Sequence, residues 1–481
     1  MNLSEIMALM PILTLSLTAF VLMVQASIKR DQNVAWWITA AGFLLSIWAA
    51  GYARQFNQSV TVLLEVDDWG LFFTTLILFS SLVSLILSRD IFAPEAERKE
   101  EYYLLLVLSV LGAVVLVQSS HMVSLLLGME LMGVALYAMI GFPEKGELPL
   151  EAAIKYLVLS ACASAMLLFG FALVYAATGD LTYAGIGVVA GTAYAQEPLV
   201  MMAGSAMILA GLGFKLSVVP FHMWTPDVYQ GAPTPVTVFL ATVSKGAVFV
   251  ALSRFYLTAE LYQYSTLIFA LSIVAAASML FGNWLALQQD NIKRLLAYSS
   301  IAHFGYLLLA LIAMSYAQTR VESQLISESV TFYLTAYILT TLAAFAVVAH
   351  LSDADEGALS IGAFEGLFWR QPLQACGLSV ALLSFAGIPL TAGFIGKFYL
   401  INVAIQGQLW MLMLTLILGS AIGIYYYLRF IFAMSKTLPV STNNRLSSKM
   451  GAQDVLILLL LILVIVLGSW PQPFIEFAGR L

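Results

Sequence analysis

Long apolar stretches recur from end to end of this 481-residue chain, each interrupted only by a charge, a glycine or a proline. Most run to about 20 residues, the length an α-helix needs to cross a hydrocarbon layer. Hydrophobic residues make up 61% of the chain and charged residues 10%, against roughly 45–50% and 25% in ordinary water-soluble domains. So little polar surface cannot cover so large an apolar mass in water. In lipid every backbone amide must be satisfied within the structure, and helices do this segment by segment. The expectation is an all-α polytopic membrane protein with about 14 transmembrane helices.

The punctuation places these helices at 5–27, 35–53, 69–88, 102–118, 122–142, 150–176, 201–222, 235–257, 266–286, 294–314, 327–350, 372–404, 408–434 and 453–474. Glu5 stands where a signal peptide would carry lysines, so the first stretch reads as a membrane helix that stays. The distribution of basic residues tests the segmentation. With the N-terminus external, the cytoplasmic loops hold 12 of the 21 basic residues: Lys29, Arg30, Arg89, Arg98, Lys99, Lys145, Lys293, Arg294, Arg370, Lys436, Arg445 and Lys449. The external side holds three, Arg54, Arg320 and Arg480. Both termini are therefore expected outside.

Six basic residues remain inside helices, each costing roughly 2.5–3.5 kcal/mol at a helix centre. Arg254 and Arg429 lie near helix ends, where snorkelling to the interface accounts for them. Lys155, one turn inside its helix, suits snorkelling or function equally. Lys215, Lys245 and Lys397 sit too deep to snorkel.

Other features exclude more than they suggest. Net charge is -6 with no basic cluster, which argues against a nucleic-acid partner. Cys162 and Cys376 fall in apolar runs and form no C-x-x-C pair, so they supply neither a cluster site nor a disulfide framework. Gly185 to Ala190 matches the spacing of a dinucleotide fingerprint, but no strand precedes it and a membrane span follows, so chance explains it. The stretch from about 177 to 200 reads as an external loop, and Ser435 to Lys449 as a cytoplasmic linker.

The chemistry gathers around the buried charges. Lys215 is placed near the middle of the seventh helix, and Pro220 five residues on removes an amide donor and breaks the helix. A broken helix in hydrocarbon is tolerated where it is buried in protein or lines a wet cavity. Glu130, in the fifth helix, is a partner charge for Lys215. Such a pair acts either as a proton switch, in which breaking it lets the lysine release its proton, or as a static lock between helices. Lys245 in the eighth helix, His303 in the tenth and Lys397 in the twelfth continue the series. Asn283, Gln288, Ser299, Tyr333, Tyr337, Thr340 and Thr341 add polar groups, although hydroxyls in membrane helices often bond their own backbone.

The twelfth helix repeats the design of the seventh: Gly387-Ile388-Pro389 breaks it and Lys397 follows. The two broken helices are five apart, and five is odd, so a tandem five-helix unit re-enters the membrane inverted. Two inverted five-helix repeats are the expected architecture. The expected segments are an N-terminal three-helix part (1–100), a first repeat of helices 4–8 (101–260), a second of helices 9–13 (261–435), and a linker with the last helix (436–481).

At these residues the chain resembles the antiporter-like membrane subunits of respiratory complex I and of related multisubunit cation/proton antiporters. The likeness is to the bacterial subunit N, counterpart of mitochondrial subunit two. It is carried by Phe214-Lys215-Leu216-Ser217 through Pro220-Phe221-His222-Met223-Trp224-Thr225-Pro226-Asp227 to Pro233, by Asn291-Ile292-Lys293-Arg294-Leu295-Leu296-Ala297-Tyr298-Ser299-Ser300, and by Gly387-Ile388-Pro389 through Gly396-Lys397-Phe398. A lysine at 397 and the end of the chain at 481 favour the N type over the M and L types.

The resemblance implies a proton-translocating subunit of an NADH:quinone oxidoreductase in a bacterial inner membrane. It implies no cofactor on this chain, with NADH, FMN, iron–sulfur clusters and quinone on partner subunits, and neighbouring membrane subunits as partners. It makes Glu130 and Lys215 the ion pair, Lys245 the central lysine and Lys397 the terminal one, with Lys155, His222 and His303 auxiliary. Protons would enter from the cytoplasm near Lys215, pass Lys245 and leave externally from Lys397. Two other readings stand beside it: a sodium/proton antiporter subunit, and a passive membrane scaffold.

Overall fold

The computed structural model describes residues 2–91, 99–143, 147–190, 198–317, 319–352, 359–437 and 451–481. Arg98, Lys145 and nearly all of the linker expected at Ser435–Lys449 lie outside them. The membrane helices are α1 (Met10–Ile28), α2 (Gln32–Ala53), α3 (Asp68–Ile91), α4 (Lys99–Val117), α5 (Met122–Ile140) and α6 (Glu147–Thr178). Then come α7a (Pro198–Leu216), α7b (Trp224–Gly231), α8 (Thr234–Thr258), α9 (Ser265–Leu287), α10 (Ile292–Ala313) and α11 (Arg320–Ser352). The series closes with α12a (Pro372–Ala386), α12b (Ala392–Gln406), α13 (Trp410–Ser435) and α14 (Ala452–Ser469).

Thirteen of the described helices are long and apolar enough to cross a membrane. The fourteenth crossing is the α12 pair, whose two pieces have 15 residues each and are individually too short. Starts are set by side chains that take up the orphan amides of a first turn. Asp31 accepts from Asn33 and Val34 before α2, and Asn291 from Lys293 and Arg294 before α10.

Close approach replaces the hydrophobic drive that lipid cannot supply between helices. A Cβ on Gly170 of α6 would lie 2.8 Å from the Gly204 carbonyl of α7a, and one on Gly204 would lie 2.9 Å from the Gly170 carbonyl.

Residues up to Leu216 form one compact unit with Gly231–Phe269. Ser217–Gln230 and Ala270–Arg480 form the other. The three N-terminal helices thus share a unit with α4 to α8, while the segment after the α7a break belongs to the second unit. In the first unit Arg254, at the end of α8, does not snorkel. It is 7% exposed and grips Asp67 through both terminal nitrogens at 2.8 Å. A paired acid, absent from simple hydropathy, is what permits its burial. Arg429 behaves closer to expectation, donating to the Leu287 and Gln289 carbonyls in the turn after α9.

Two details add to the expected all-α picture. A short hairpin pairs Gln58–Val60 with Leu64–Val66 before α3. The stretch read as a loop from about 177 contains a helix, Tyr183–Ala190, so the Gly185–Ala190 motif is helical and not a phosphate loop.

Candidate functional site

In the first unit the site is built on α5, α6, α7a and α8. Lys215 lies in the last turn of α7a and not at its middle, because the helix ends at Leu216 where Ser217 takes a left-handed backbone (φ 64°). Its side chain is 2% exposed. The ammonium donates to Ser160 Oγ of α6 at 2.6 Å and sits over the rings of Tyr156 (5.3 Å) and Tyr137 (5.9 Å). Tyr137 also donates to Ser160 Oγ, at 2.6 Å. Gly133 leaves the room: a Cβ there would be 3.3 Å from the Lys215 nitrogen.

Glu130 is half-buried on α5, and its carboxylate accepts from Ser164 Oγ. Ser160 and Ser164 are one turn apart on α6, hence on one face. Lys215 and Glu130 thus each bond a different serine of one α6 face, Ser160 and Ser164, where the sequence suggested a direct pair. Neither serine was singled out by the sequence, since a hydroxyl in an apolar helix looks the same whether it serves its own backbone or a neighbour. Tyr156 extends the group, its hydroxyl lying against Ser244 of α8. The next residue is Lys245, 1% exposed, which follows a π-helical segment at Leu240–Ser244. Such bulges re-aim side chains within a helix. Lys155 stands apart from this group on a half-exposed face, paired with Glu151 at 2.6 Å.

The second unit holds His303 and Lys397. α12a ends in a Schellman turn: Ile388 N–H donates to the Leu383 carbonyl and Gly387 N–H to the Ser384 carbonyl, both at 3.0 Å. Gly387 supplies the left-handed conformation (φ 82°) this turn needs. Two carbonyls of the last turn, Phe385 and Ala386, are left over. Lys397 Nζ reaches back from α12b and donates to them at 2.8 and 3.1 Å. A cation at a helix C-terminus also meets the negative end of its dipole. The same ammonium lies 5.5 Å from the Tyr306 ring centre.

His303 is 5% exposed, and its Nδ1 shares a 2.7 Å hydrogen bond with the Tyr333 hydroxyl of α11. Its ring packs against Tyr306, Tyr337 and Phe385. Hydroxyls expected to serve their own backbone instead join helices: Ser300 meets Tyr337 at 2.8 Å, Ser299 meets Tyr427 at 2.5 Å, and Thr340 meets Ser384 at 3.0 Å. His222 lies in the segment between α7a and α7b, 8% exposed, with its Nδ1 buried and unpartnered. Asp227 of α7b binds Arg294 of α10 at 2.7 Å. Among the described residues no group of three or more His, Cys, Asp or Glu side chains could hold a metal ion.

Each unit thus carries a buried lysine beside a helix break, resting on tyrosine faces and hydrogen-bonded. Each ammonium is held in a small polar pocket among apolar helices. The profile of one family, NADH:quinone oxidoreductase/Mrp antiporter, transmembrane, matches residues 119–423, which include Glu130, Lys215, Lys245, His303 and Lys397. The chain belongs to this family.

Solved structures agree. A chain of respiratory complex I from Thermus thermophilus with bound aureothin is 32% identical, covering 97% of this chain and 99% of that one, with a TM-score of 0.82. A chain of the membrane-bound sulfane sulfur reductase, an archaeal respiratory membrane complex, is 26% identical over 99% of this chain and 96% of that one, with a TM-score of 0.85. A chain of the Mrp complex from Dietzia sp. DQ12-45-1b, 18% identical, shares the fold over 100% of this chain and 97% of that one, at a TM-score of 0.84. This is an antiporter-like membrane subunit, and its relatives are parts of multisubunit membrane complexes.

Proposed function

We propose that this chain is a proton-translocating subunit of an NADH:quinone oxidoreductase, of the N type, in a bacterial inner membrane with both termini external. Glu130, Lys215, Lys245 and Lys397 carry the proton, with His303 assisting and His222 and Lys155 auxiliary. NADH, FMN, iron–sulfur clusters and quinone belong to partner subunits. The observation that carries this reading is the pair of buried lysines at helix breaks, in a chain 32% identical over 97% of its length to one from complex I. Quinone chemistry elsewhere would act by changing the contacts of Glu130 with Ser164 and of Lys215 with Ser160, and so the readiness of Lys215 to release its proton.

The test begins with a C-terminal tag, mild-detergent extraction of native membranes and an assay for NADH:quinone reductase in what co-purifies. A large assembly with that activity is expected. In it, Lys215→Ala should lower proton pumping while the complex still assembles. A chain that arrives without NADH oxidation, but exchanges sodium for protons, would move it to the antiporters of the same family. Normal proton yield after removal of both Lys215 and Lys245 would leave only a scaffold.

A further inference from the structure

We infer that Asn283 is a positioning residue for Lys397, acting through Tyr306. The inference rests on the proton-carrying role proposed for Lys397. Asn283 is on α9, 2% exposed, where α9, α10 and α13 meet. A carboxamide in such surroundings is costly unless all its groups are bonded, and here they are. Nδ2 donates to the Met279 carbonyl at 2.7 Å and to the Tyr306 hydroxyl at 2.9 Å, while Oδ1 accepts from the Tyr426 hydroxyl at 3.0 Å. The Met279 carbonyl can only accept, so the amide orientation is forced and the Tyr306 oxygen must receive one of its hydrogens.

That tether anchors the hydroxyl end of the Tyr306 ring. The Lys397 ammonium lies 5.5 Å from its centre, and the His303 ring meets it edge-on at 5.5 Å and 86°. One tyrosine therefore touches both Lys397 and His303. A cation is attracted to a ring's face, and the hydroxyl tether sets how far that ring lies from the ammonium.

Space is reserved for the arrangement. A Cβ on Gly419 of α13 would lie 2.9 Å from Asn283 Nδ2 and 3.0 Å from the Tyr306 hydroxyl, and one on Gly423 would lie 3.3 Å from Asn283 Oδ1. The first unit has a parallel: Tyr137 lies under Lys215 with its hydroxyl tied to Ser160. The other titratable groups packed around this region are Tyr333 and Tyr337 of α11 and Tyr426 and Tyr427 of α13.

The experiment uses the whole assembled complex in proteoliposomes, with proton pumping measured across pH. Asn283→Leu removes the tether, and Gly419→Ala presses on the same pair from α13. Tyr426→Phe keeps the bond to Tyr306 and serves as the control. Drawing the ring away from the ammonium should move the alkaline limb of the pumping profile toward acid by about half to one pH unit. Asn283→Leu and Gly419→Ala should both show it, and Tyr426→Phe should not. Because one or other variant can fail to assemble, either one that assembles decides the matter. An unmoved limb, or a loss equal at every pH, overturns the inference. Lys397→Gln is run alongside: if it pumps normally, the role of Lys397 itself is wrong. If it is silent while the Asn283 and Gly419 variants keep the original limb, only the positioning role fails.

Discussion

Replacing Ser160 with alanine is the sharpest perturbation of the first unit. Ser160 Oγ accepts from the Lys215 ammonium and from the Tyr137 hydroxyl, both at 2.6 Å. A hydrogen bond to a charged group contributes about 1.5–3 kcal/mol. At roughly 1.36 kcal/mol per factor of ten, its loss changes the proton equilibrium of Lys215 about 10- to 150-fold. The tyrosine faces remain, so the ammonium keeps part of its support. The assay is proton uptake in proteoliposomes carrying the assembled complex, normalised to NADH oxidised. Ser160→Ala should lower protons moved per NADH, and Ser160→Thr, which keeps the hydroxyl, should restore most of the yield. The alanine variant also strands the Tyr137 hydroxyl, so its thermal stability is measured to separate damage from mechanism. Wild-type yield in Ser160→Ala, beside a silent Lys215→Ala, would refute the argument that Ser160 supports the Lys215 charge.

Further outcomes follow from the second unit and from the surface. Lys397→Leu leaves the Phe385 and Ala386 carbonyls unmet, at about 1–3 kcal/mol each, so the detergent-solubilised complex should melt at lower temperature; Lys397→Gln, which can still donate, should melt near the original temperature yet not pump. Gly387→Ala forces a left-handed alanine, costing roughly 1–2 kcal/mol, and sets a Cβ 2.9 Å from Lys397 Cδ; pumping should fall more than stability, judged by parallel yield and melting measurements. His121 caps α5 by accepting Val123 N–H on Nδ1. Burial lowers its proton affinity below the ordinary value of 6.5, with Asp180 opposing. The cap is therefore intact above about pH 6.5 and is lost as pH falls through the folded value. Hydrogen exchange in the first turn of α5 should accelerate on acidification, and His121→Asn should remove that dependence.

The crossings were legible because lipid imposes one length and one composition on every one of them. The breaks were legible too: Pro220 and Pro389 interrupt apolar runs beside lysines. What could not be read was the direction in which polar groups point. Lys215 reads as mid-helix because the apolar run continues past it, whereas the left-handed backbone at Ser217 ends the helix sooner. Ser160 and Ser164 carry no signal, since their partners are 55 residues and 34 residues away in sequence. Arg254 looked like an interfacial snorkeller because its partner Asp67 lies 187 residues away. Asn283 was visible as a polar residue, but its value depends on Tyr306 and Tyr426 meeting it at one point.

The way Lys397 is held has a consequence for inheritance. Lys215 depends on a serine and two tyrosines, any of which a single base change can remove. Lys397 leans on the carbonyls of Phe385 and Ala386, which every residue possesses whatever its side chain. Mutation at 385 or 386 can alter packing but cannot delete those oxygens. Variation at Ala386 should therefore be tolerated as far as the Lys397 contact is concerned, and resisted at Gly387, whose backbone aims that carbonyl. Phe385 is also held by its packing against His303. A site wired to the main chain can drift in spelling without losing its meaning.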